Sequence, residues 1–280
     1  MLFSSNCSKI SVSRFFQKVF PLVVFKNLFY KEDFMGALEP YKRLGEVYDQ
    51  IHGRKQDFYE GYLEFVEKAV EDLEIGSVLE MACGTGNLME VFEKNGYDVE
   101  GFDISKSMLE VAESKDLSVY KQDLKDFKMG KTYDLLICIY DSLNYLEDIE
   151  EMKKCFESSV EHLNEKGYLV FDLNSKYFIE EATKKWEGSA FHYELENHEV
   201  FYRTCESEDK WVLKTMVFEE KEDGLYEKFV ERHVEQSFEL EKVKELVRET
   251  GLELEGVYSS LEFDKVDEKS KRWFFVCKKN

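Results

Sequence analysis

The stretch V-L-E-M-A-C-G-T-G-N, from Val78 to Asn87, decides the fold of this 280-residue chain. Its apolar start predicts a β-strand, its glycine pair predicts a tight turn, and the residues from Asn87 onward predict a helix. Gly84 and Gly86 permit a positive φ angle and let a ligand approach the backbone closely. Because open α/β sheets bind ligands at the carboxyl ends of their strands, the stretch predicts a ligand site as well as a fold.

Strands and helices alternate along the chain on both sides of this loop. Apolar residues recur at helical spacing over Tyr41–Leu73, and the apolar run within Tyr133–Tyr140 is typical of a strand that is covered on both faces. The pattern predicts strands at Ser77–Met81, Val99–Phe102, Leu117–Tyr120, Tyr133–Tyr140 and Tyr168–Leu173, and helices at Asn87–Lys94, Ser105–Glu113 and Ile149–Leu163. Such alternation predicts an α/β fold with a parallel sheet and helices on both of its faces.

The rhythm changes after Asn174, where strands predominate. Three strand-like stretches occur at Glu199–Cys205, Trp211–Glu219 and Tyr226–Gln236, and Asp223-Gly224 is a hairpin turn signal between the last two. We therefore expect a small antiparallel sheet, inserted at residues 188–237. The remaining elements are predicted as a helix at Glu239–Thr250 and strands at Leu252–Phe263 and Trp273–Cys277.

The first 34 residues differ from the rest of the chain. Residues 1–30 contain four basic residues and no acidic ones, and their longest apolar run, Val19–Phe25, is too short to span a bilayer, which needs about 20 residues. Three interpretations remain open: an extension lying on a membrane surface, a targeting segment, or translated upstream sequence with Met35 as the true start. We expect residues 1–34 to lie outside the fold, residues 35–280 to form one domain, and no stable membrane insertion.

The composition excludes several classes of protein. The chain carries 38 Lys and Arg against 59 Asp and Glu, a formal charge of −21. An acidic surface repels phosphates and argues against a nucleic-acid partner. The six cysteines are widely spaced and show no metal-ligand pattern. We therefore expect no metal site, and reduced thiols packed as apolar residues in a cytoplasmic protein.

Two classes of ligand compete for the glycine loop. A dinucleotide site would carry a third glycine where Met89 stands, so a nicotinamide-dependent oxidoreductase is the weaker alternative. S-adenosylmethionine (SAM) has no phosphate, and its ammonium and sulfonium groups are cationic. An acidic residue beside the loop is therefore compatible with SAM, and Glu80 is that residue.

Two further carboxylates follow the next two predicted strands. Asp103 comes at the end of its strand, where a carboxylate can accept hydrogen bonds from both ribose hydroxyls of a nucleoside. Asp123 follows the third strand and can accept from the adenine amine, while the backbone N–H of Leu124 donates to a ring nitrogen. Carboxylates at three successive strand ends indicate one site for an adenosine group.

With these features the chain resembles the class I SAM-dependent methyltransferases, most closely small bacterial and archaeal members with a methyltransferase-25-type domain. The resemblance covers roughly residues 41–280. It is carried by L-E-M-A-C-G-T-G-N-L (79–88), G-F-D-I-S-K-S-M-L (101–109), Q-D-L (122–124), D-L-L-I-C-I-Y-D-S-L-N-Y-L (134–146) and L-N-E-K-G-Y-L-V-F-D-L-N-S (163–175). It implies a Rossmann-like, seven-stranded and mostly parallel sheet with helices on both faces and an antiparallel last strand.

The resemblance also implies roles for individual residues. The cofactor-binding set divides by the part of SAM that each residue would meet: the methionine part for Glu80, Ala82, Gly84 and Gly86, the ribose for Asp103, the adenine for Asp123 and Leu124, the nucleoside faces for Ile104 and Met108, the lid for Tyr48 and Arg54, and the methyl-transfer side for Tyr140. The inserted sheet would cover the substrate side.

The implied activity is in-line transfer of a methyl group from SAM to an N or O nucleophile of a small-molecule acceptor. Candidates for the catalytic contacts are Tyr140, Asp141, Asn144 and Tyr145, just past the fourth strand, and His233 in the inserted sheet. For Asp141 and Asn144, capping of the following turn is the structural alternative. A non-catalytic SAM-binding module is the alternative to an enzyme.

Overall fold

The computed structural model describes residues 38–52, 56–186, 190–205 and 210–280. Its helices are α1 (Gly45–His52), α2 (Gln56–Ala69), α3 (Asn87–Lys94), α4 (Lys106–Glu113), α5 (Ile149–His162), α6 (Lys176–Trp186) and α7 (Leu240–Glu249), with one 3-10 turn at Ser142–Tyr145. Its strands are β1 (Ser77–Met81), β2 (Asp98–Asp103), β3 (Val119–Lys121), β4 (Tyr133–Cys138), β5 (Leu163–Asn174), β6 (Ala190–Glu194), β7 (His198–Cys205), β8 (Lys210–Glu220), β9 (Tyr226–Gln236), β10 (Leu252–Tyr258) and β11 (Arg272–Lys279).

The main sheet has seven strands in the order β3-β2-β1-β4-β5-β11-β10. Neighbouring strands from β3 to β5 run parallel, whereas β11 is antiparallel to both β5 and β10. Separate apolar clusters pack on the two faces of this sheet, and the residues Leu135–Cys138 of β4 are fully buried between them. The predicted α/β fold, with its antiparallel last strand, is confirmed.

Local sequence signals explain where two of the helices begin. The hydroxyl of Ser105 accepts a hydrogen bond from the backbone N–H of Met108 at 3.2 Å, which satisfies one of the free donors at the start of α4. The carboxylate of Asp148 accepts from the N–H of Glu151 at 2.9 Å and caps α5 in the same way. The predicted cap at Ser105 is therefore confirmed.

The second sheet has four antiparallel strands in the order β6-β7-β8-β9. Three of them match the predicted stretches, but the sequence analysis missed β6 and the preceding helix α6. The region expected to be helical, Tyr41–Leu73, contains α1 and α2, and residues 53–55 between them lie outside the described residues. The N-terminal extension falls within residues 1–37, outside the described residues, so its expected boundary stays a prediction.

Two general properties of the described residues bear on the earlier expectations. None of the helices there is long and apolar enough to cross a membrane. Five of the six cysteines are described, all five are free thiols, and Cys83, Cys138, Cys155 and Cys277 are buried. Cys7 lies outside the described residues. For the buried four, packing as small apolar residues is confirmed.

Candidate active site

The carboxyl ends of β1 to β4 converge on one cavity of about 710 Å³. The segments that follow these four strands all contribute to its wall. Ten of the predicted cofactor residues line the cavity: Tyr48, Glu80, Ala82, Gly84, Asp103, Ile104, Met108, Asp123, Leu124 and Tyr140. Gly86, Asp141, Asn144 and His233 do not line it, and Arg54 lies outside the described residues.

Asp103 links the glycine loop to the start of α4. Its Oδ2 accepts the backbone N–H of Gly84 at 2.9 Å, and its Oδ1 accepts the N–H of Ser105 at 2.7 Å. The side chain is 8 % exposed, and burial raises its pKa although these N–H groups oppose the shift. Each carboxylate oxygen retains a lone pair, so the group can accept two more hydrogen bonds while holding the loop in place.

The structural reason for a glycine differs between Gly84 and Gly86. A Cβ atom placed on Gly84 would meet nothing within 4 Å in the described part of the chain, so its backbone is open to a ligand. A Cβ on Gly86 would lie 2.2 Å from Cδ1 of Leu117, and Gly86 has a φ of 78°. The positive φ predicted at Gly86 is confirmed, and this glycine is required by packing and by its left-handed backbone; the ligand approach expected there stays a prediction.

Glu80 has an unsatisfied carboxylate oxygen at the wall of the cavity. The residue is 4 % exposed, and its Oε2 has no hydrogen-bond partner among the described residues. Burial raises its pKa well above the ordinary value, and the nearby Asp103 adds to the shift, while the backbone N–H of Met89 and the charge of Lys115 oppose it. A cationic ligand would supply the missing partner.

Replacing Glu80 with glutamine is expected to remove a pH dependence of folding stability. Glu80 keeps its proton to a higher pH in the folded chain than in the unfolded chain. Its contribution to the free energy of unfolding is therefore fully present below about pH 4.3, and it is lost as pH rises through the raised folded-state pKa. In urea unfolding without ligand, Glu80→Gln should therefore be at least as stable as the wild type at pH 8. The two proteins should converge towards pH 4.5.

Glu100 on β2 is the matched control for that prediction. Burial disfavours its charge, but hydrogen bonds from Tyr133 and Lys131 outweigh burial and lower its pKa. Its stabilising effect is therefore present above the ordinary Glu pKa, so Glu100→Gln should lose stability at pH 8. If the wild type were more stable than Glu80→Gln at pH 8, the buried Glu80 carboxylate would not destabilise the fold, which would contradict its raised pKa.

A polar network attaches α1 to the glycine loop. The Oδ1 of Asp49 accepts hydrogen bonds from the hydroxyl of Thr85 at 2.5 Å and from the amide of Asn87 at 3.0 Å. Lys115 lies 2.7 Å from the other oxygen of Asp49. Tyr48, beside Asp49 on α1, thereby reaches the cavity wall, and the sequence analysis did not find this network.

Residues 38–45, here called the strap, cross from the inserted sheet to α4. Both oxygens of Glu231 on β9 accept strap N–H groups, from Tyr41 at 2.8 Å and from Arg43 at 2.7 Å. At the other side, the hydroxyl of Ser105 donates to the carbonyl of Tyr41 at 2.6 Å. Four strap residues line the cavity, namely Glu39, Pro40, Tyr41 and Lys42.

Asn144 does not line the cavity and is engaged by backbone groups, so its expected catalytic contact stays a prediction. Its side chain is fully buried and donates to the carbonyls of Asn174 at 3.1 Å and Gln236 at 2.8 Å. Its Oδ1 accepts the backbone N–H of Asn174 at 2.8 Å. The amide is thus occupied in joining the 3-10 turn to β5 and β9, which is a structural role.

Asp141 belongs to a buried cluster behind the cavity. Its Oδ1 accepts from Nη2 of Arg272 at 2.6 Å, and Asp172 accepts from Nη1 at 2.9 Å. Glu235 joins through Asn174, whose amide donates to its Oε2 at 2.7 Å. Burial raises the pKa of both Asp141 and Glu235, and Arg272 opposes the shift in each case. Arg272 occupies the carboxylate of Asp141, which gives this side chain a structural partner, and its expected catalytic contact stays a prediction.

His233 does not line the cavity but contacts a residue that does. It is 4 % exposed, and its Nδ1 lies 3.1 Å from the hydroxyl of Tyr145, which does line the cavity. The Tyr145 hydroxyl is also 2.9 Å from that of Tyr41. Tyr41 and Tyr59 line the cavity as well, and the sequence analysis missed both.

The residues present fit SAM. Glu80 offers an unpaired buried oxygen for a cationic group, Gly84 has an open backbone, and Asp103 has lone pairs to spare. Asp123, whose Oδ1 already accepts the N–H of Lys125 at 3.0 Å, lines the cavity beside Leu124. No group of three or more His, Cys, Asp or Glu side chains within the described ranges is arranged to hold a metal ion.

The sequence profile of the methyltransferase domain family matches residues 52–257, which is most of the chain. The chain belongs to this family. The methyltransferase is 26 % identical over 247 residues to YqeM of Bacillus subtilis (strain 168), a protein provisionally named a methyltransferase, with 86 % of this chain and 97 % of YqeM covered. It is an enzyme of the SAM-dependent class. This assignment replaces the two alternatives, a nicotinamide-dependent oxidoreductase and a non-catalytic SAM-binding module.

Solved structures agree with this assignment. The crystal structure of an S-adenosylmethionine-dependent methyltransferase from Clostridium acetobutylicum ATCC 824 superposes on the present chain with a TM-score of 0.71. The two are 26 % identical in sequence, and the match covers 84 % of this chain and 97 % of that one. A dTDP-3-amino-3,4,6-trideoxy-alpha-D-glucopyranose N,N-dimethyltransferase from Streptomyces venezuelae is 30 % identical over 131 residues, 45 % of this chain and 55 % of that protein.

Proposed function

We propose that this methyltransferase transfers the methyl group of SAM to the nitrogen of a small-molecule amine. When bound, SAM supplies an electrophilic methyl carbon, and the nitrogen–carbon bond forms as the carbon–sulfur bond breaks with its electron pair left on sulfur. The protein holds nucleophile and methyl group in line, which can lower the barrier by about 7–11 kcal/mol.

The proposed cofactor contacts follow from the cavity wall. Glu80, Ala82 and Gly84 hold the methionine part, and the free lone pairs of Asp103 accept the ribose hydroxyls. Asp123 and the N–H of Leu124 bind the adenine. Ile104 is 61 % exposed although apolar, as expected for a side chain that a nucleoside covers, and Met108 and Tyr48 complete the set.

The observation that carries the choice of an amine is the tyrosine lining of the cavity. Five tyrosines contribute to its wall: Tyr41, Tyr48, Tyr59, Tyr140 and Tyr145. Aromatic faces attract ammonium groups, and a neutral hydroxyl gains no such attraction. The fully buried Glu231, directly behind Tyr41, adds negative potential on the same side.

The similarity to the Streptomyces venezuelae protein supports the same acceptor class. Its name describes N,N-dimethylation of an amino sugar, and the shared region is 131 residues long. We therefore propose amino sugars, or polar amines of similar size, as the first acceptors to test.

The test compares matched amines and alcohols. The protein is incubated with methyl-labelled SAM and pairs such as glucosamine and glucose, and the products are identified by mass spectrometry. We expect label on nitrogen in the amine member and none in the hydroxyl member. Label on oxygen in both members of a pair would contradict the proposal.

A further inference from the structure

Tyr145 lies at the centre of a buried hydrogen-bonded row that begins at the cavity. Its hydroxyl lies 2.9 Å from the hydroxyl of Tyr41 and 3.1 Å from Nδ1 of His233. Tyr41 and Tyr145 line the cavity, whereas His233 does not line it and is buried behind them. The edge of the Tyr41 ring also packs on His233, with centroids 4.7 Å apart.

The hydroxyls of Tyr41 and Tyr145 can both be satisfied in one direction along this row, whereas Nε2 of His233 has no hydrogen-bond partner among the described residues. If Tyr41 donates to Tyr145 and Tyr145 donates to Nδ1 of His233, the second ring nitrogen of His233 carries the proton. That nitrogen, Nε2, lies 3.5 Å from Oε2 of Glu231. The oxygen of Tyr145 then keeps one lone pair for a hydrogen bond from a group in the cavity.

Glu231 is fixed in a position to balance a positive imidazole. It is fully buried, and its two oxygens are held by the N–H groups of Tyr41 and Arg43. The groups that face the His233 ring are thus Tyr41 on the strap, Tyr145 after β4, and Glu231 on its own strand. A positively charged His233 imidazole would therefore be balanced by the carboxylate of Glu231, and its two other neighbours would be neutral phenols.

We propose that Tyr145 is a catalytic residue that takes up the proton of the acceptor nitrogen, and that His233 positions Tyr145 and stores that proton. The inference rests on the N-methylation proposed above. The acceptor ammonium gives one proton to the Tyr145 oxygen as the hydroxyl proton of Tyr145 moves to Nδ1 of His233. The nitrogen keeps the electron pair of that N–H bond and uses it to attack the methyl carbon.

The protonation state of Tyr145 agrees with a relay. Burial raises its pKa well above the ordinary value, with a further contribution from Glu235, while the hydrogen bond from Tyr41 opposes the shift. The phenol therefore stays neutral at physiological pH. It can pass a proton on only if a second group, here His233, accepts its own.

The first test compares two SAM analogues. In sinefungin an amine-bearing carbon replaces the methyl-bearing sulfur. In S-adenosylhomocysteine the sulfur carries neither a methyl group nor an amine. The amine of sinefungin takes the place of the transferred methyl group, so it reports which residues face the position of methyl transfer. By calorimetry on the full chain, we expect Tyr145→Phe to weaken sinefungin binding about tenfold, as for one charge-assisted hydrogen bond. Binding of S-adenosylhomocysteine should change less than about twofold.

Tyr202→Phe is the matched control. The Tyr202 hydroxyl is buried in the inserted sheet, does not line the cavity, and has no hydrogen-bond partner among the described residues. Its removal should change neither affinity. Equal weakening of both ligands by Tyr145→Phe would assign Tyr145 to the common part of the cofactor, and an effect on neither would remove it from the site. Either result overturns the proposal.

His233 has a separate spectroscopic readout. The chain has five histidines, so ¹⁵N-histidine labelling gives few signals, and those of His233 are identified by their absence in His233→Gln. We expect sinefungin to shift Nδ1 towards its protonated form in the wild type and not in Tyr145→Phe. A His233 ring that does not respond in the wild type overturns its role. Neither readout needs an acceptor, so failure here is distinct from failure of the amine panel.

Discussion

Asp103→Ala should weaken SAM binding by at least about 100-fold, because the two charge-assisted hydrogen bonds that we propose to the ribose would be lost at about 1.5–3 kcal/mol each. The structure adds a second cause. The same carboxylate holds the N–H groups of Gly84 and Ser105, so alanine also releases the glycine loop from the start of α4.

Calorimetry with S-adenosylhomocysteine measures this loss without turnover. Asp103→Asn separates the two causes, because its amide oxygen can still accept one loop N–H while the charge is gone. Asp126→Ala is the matched control, since Asp126 is exposed, follows the same strand end as Asp123, and does not line the cavity. Unchanged affinity in Asp103→Ala would remove the ribose assignment.

Arg272→Met should cost about 3–5 kcal/mol of the free energy of unfolding at pH 7, the usual cost of leaving buried carboxylates without their cation. Arg272 is the cation that the structure places between Asp141 and Asp172, at 2.6 and 2.9 Å. Burial opposes its charge, but these two carboxylates outweigh burial and raise its pKa. Urea unfolding measures the change.

The pH dependence of that loss has a definite sign. Burial raises the folded-state pKa of Asp141 and Glu235, and removal of Arg272 would raise both further. Carboxyl groups of this kind favour folding below their unfolded pKa and lose that effect as pH rises. The deficit of Arg272→Met should therefore shrink as pH falls from 7 towards about 4.

Lys278→Met on the same strand is the control for charge removal. Lys278 pairs with Asp72, whose side chain is 57 % exposed, and such surface pairs contribute about 0–1 kcal/mol. A loss in Arg272→Met no larger than that in Lys278→Met would show that the buried cluster does not depend on its arginine.

Much of the fold could be predicted because its signals are local. The apolar run of β4, the cap at Ser105 and the glycine loop each specify a conformation within a few residues. The missed elements, β6 and α6, lack such signals. The helical spacing of apolar residues such as Phe58, Tyr62 and Phe65 is a local signal of the same kind, and it predicted α2.

The candidate site divides in the same way. Most of the expected cofactor residues that line the cavity lie at or just after strand ends, whereas Tyr48 and Met108 lie on helices. Parallel strands bring their carboxyl ends to one edge regardless of other details. Asp141 and Asn144 also follow a strand end, yet their partners Arg272 and Gln236 come from distant segments. No pattern along the chain identifies those partners, and with them the two side chains do not line the cavity.

The sequence by itself determined the α/β fold, the glycine loop and the strand-end carboxylates, since each depends on short-range pattern and on a topology that few alternatives satisfy. Only the tertiary structure brought together the residues that we propose for the acceptor side. Tyr145 meets His233 across 88 residues, and Tyr41 meets Glu231 across 190. Such contacts depend on how the inserted sheet packs against the strap, and side-chain packing between distant segments leaves no periodic trace in the sequence.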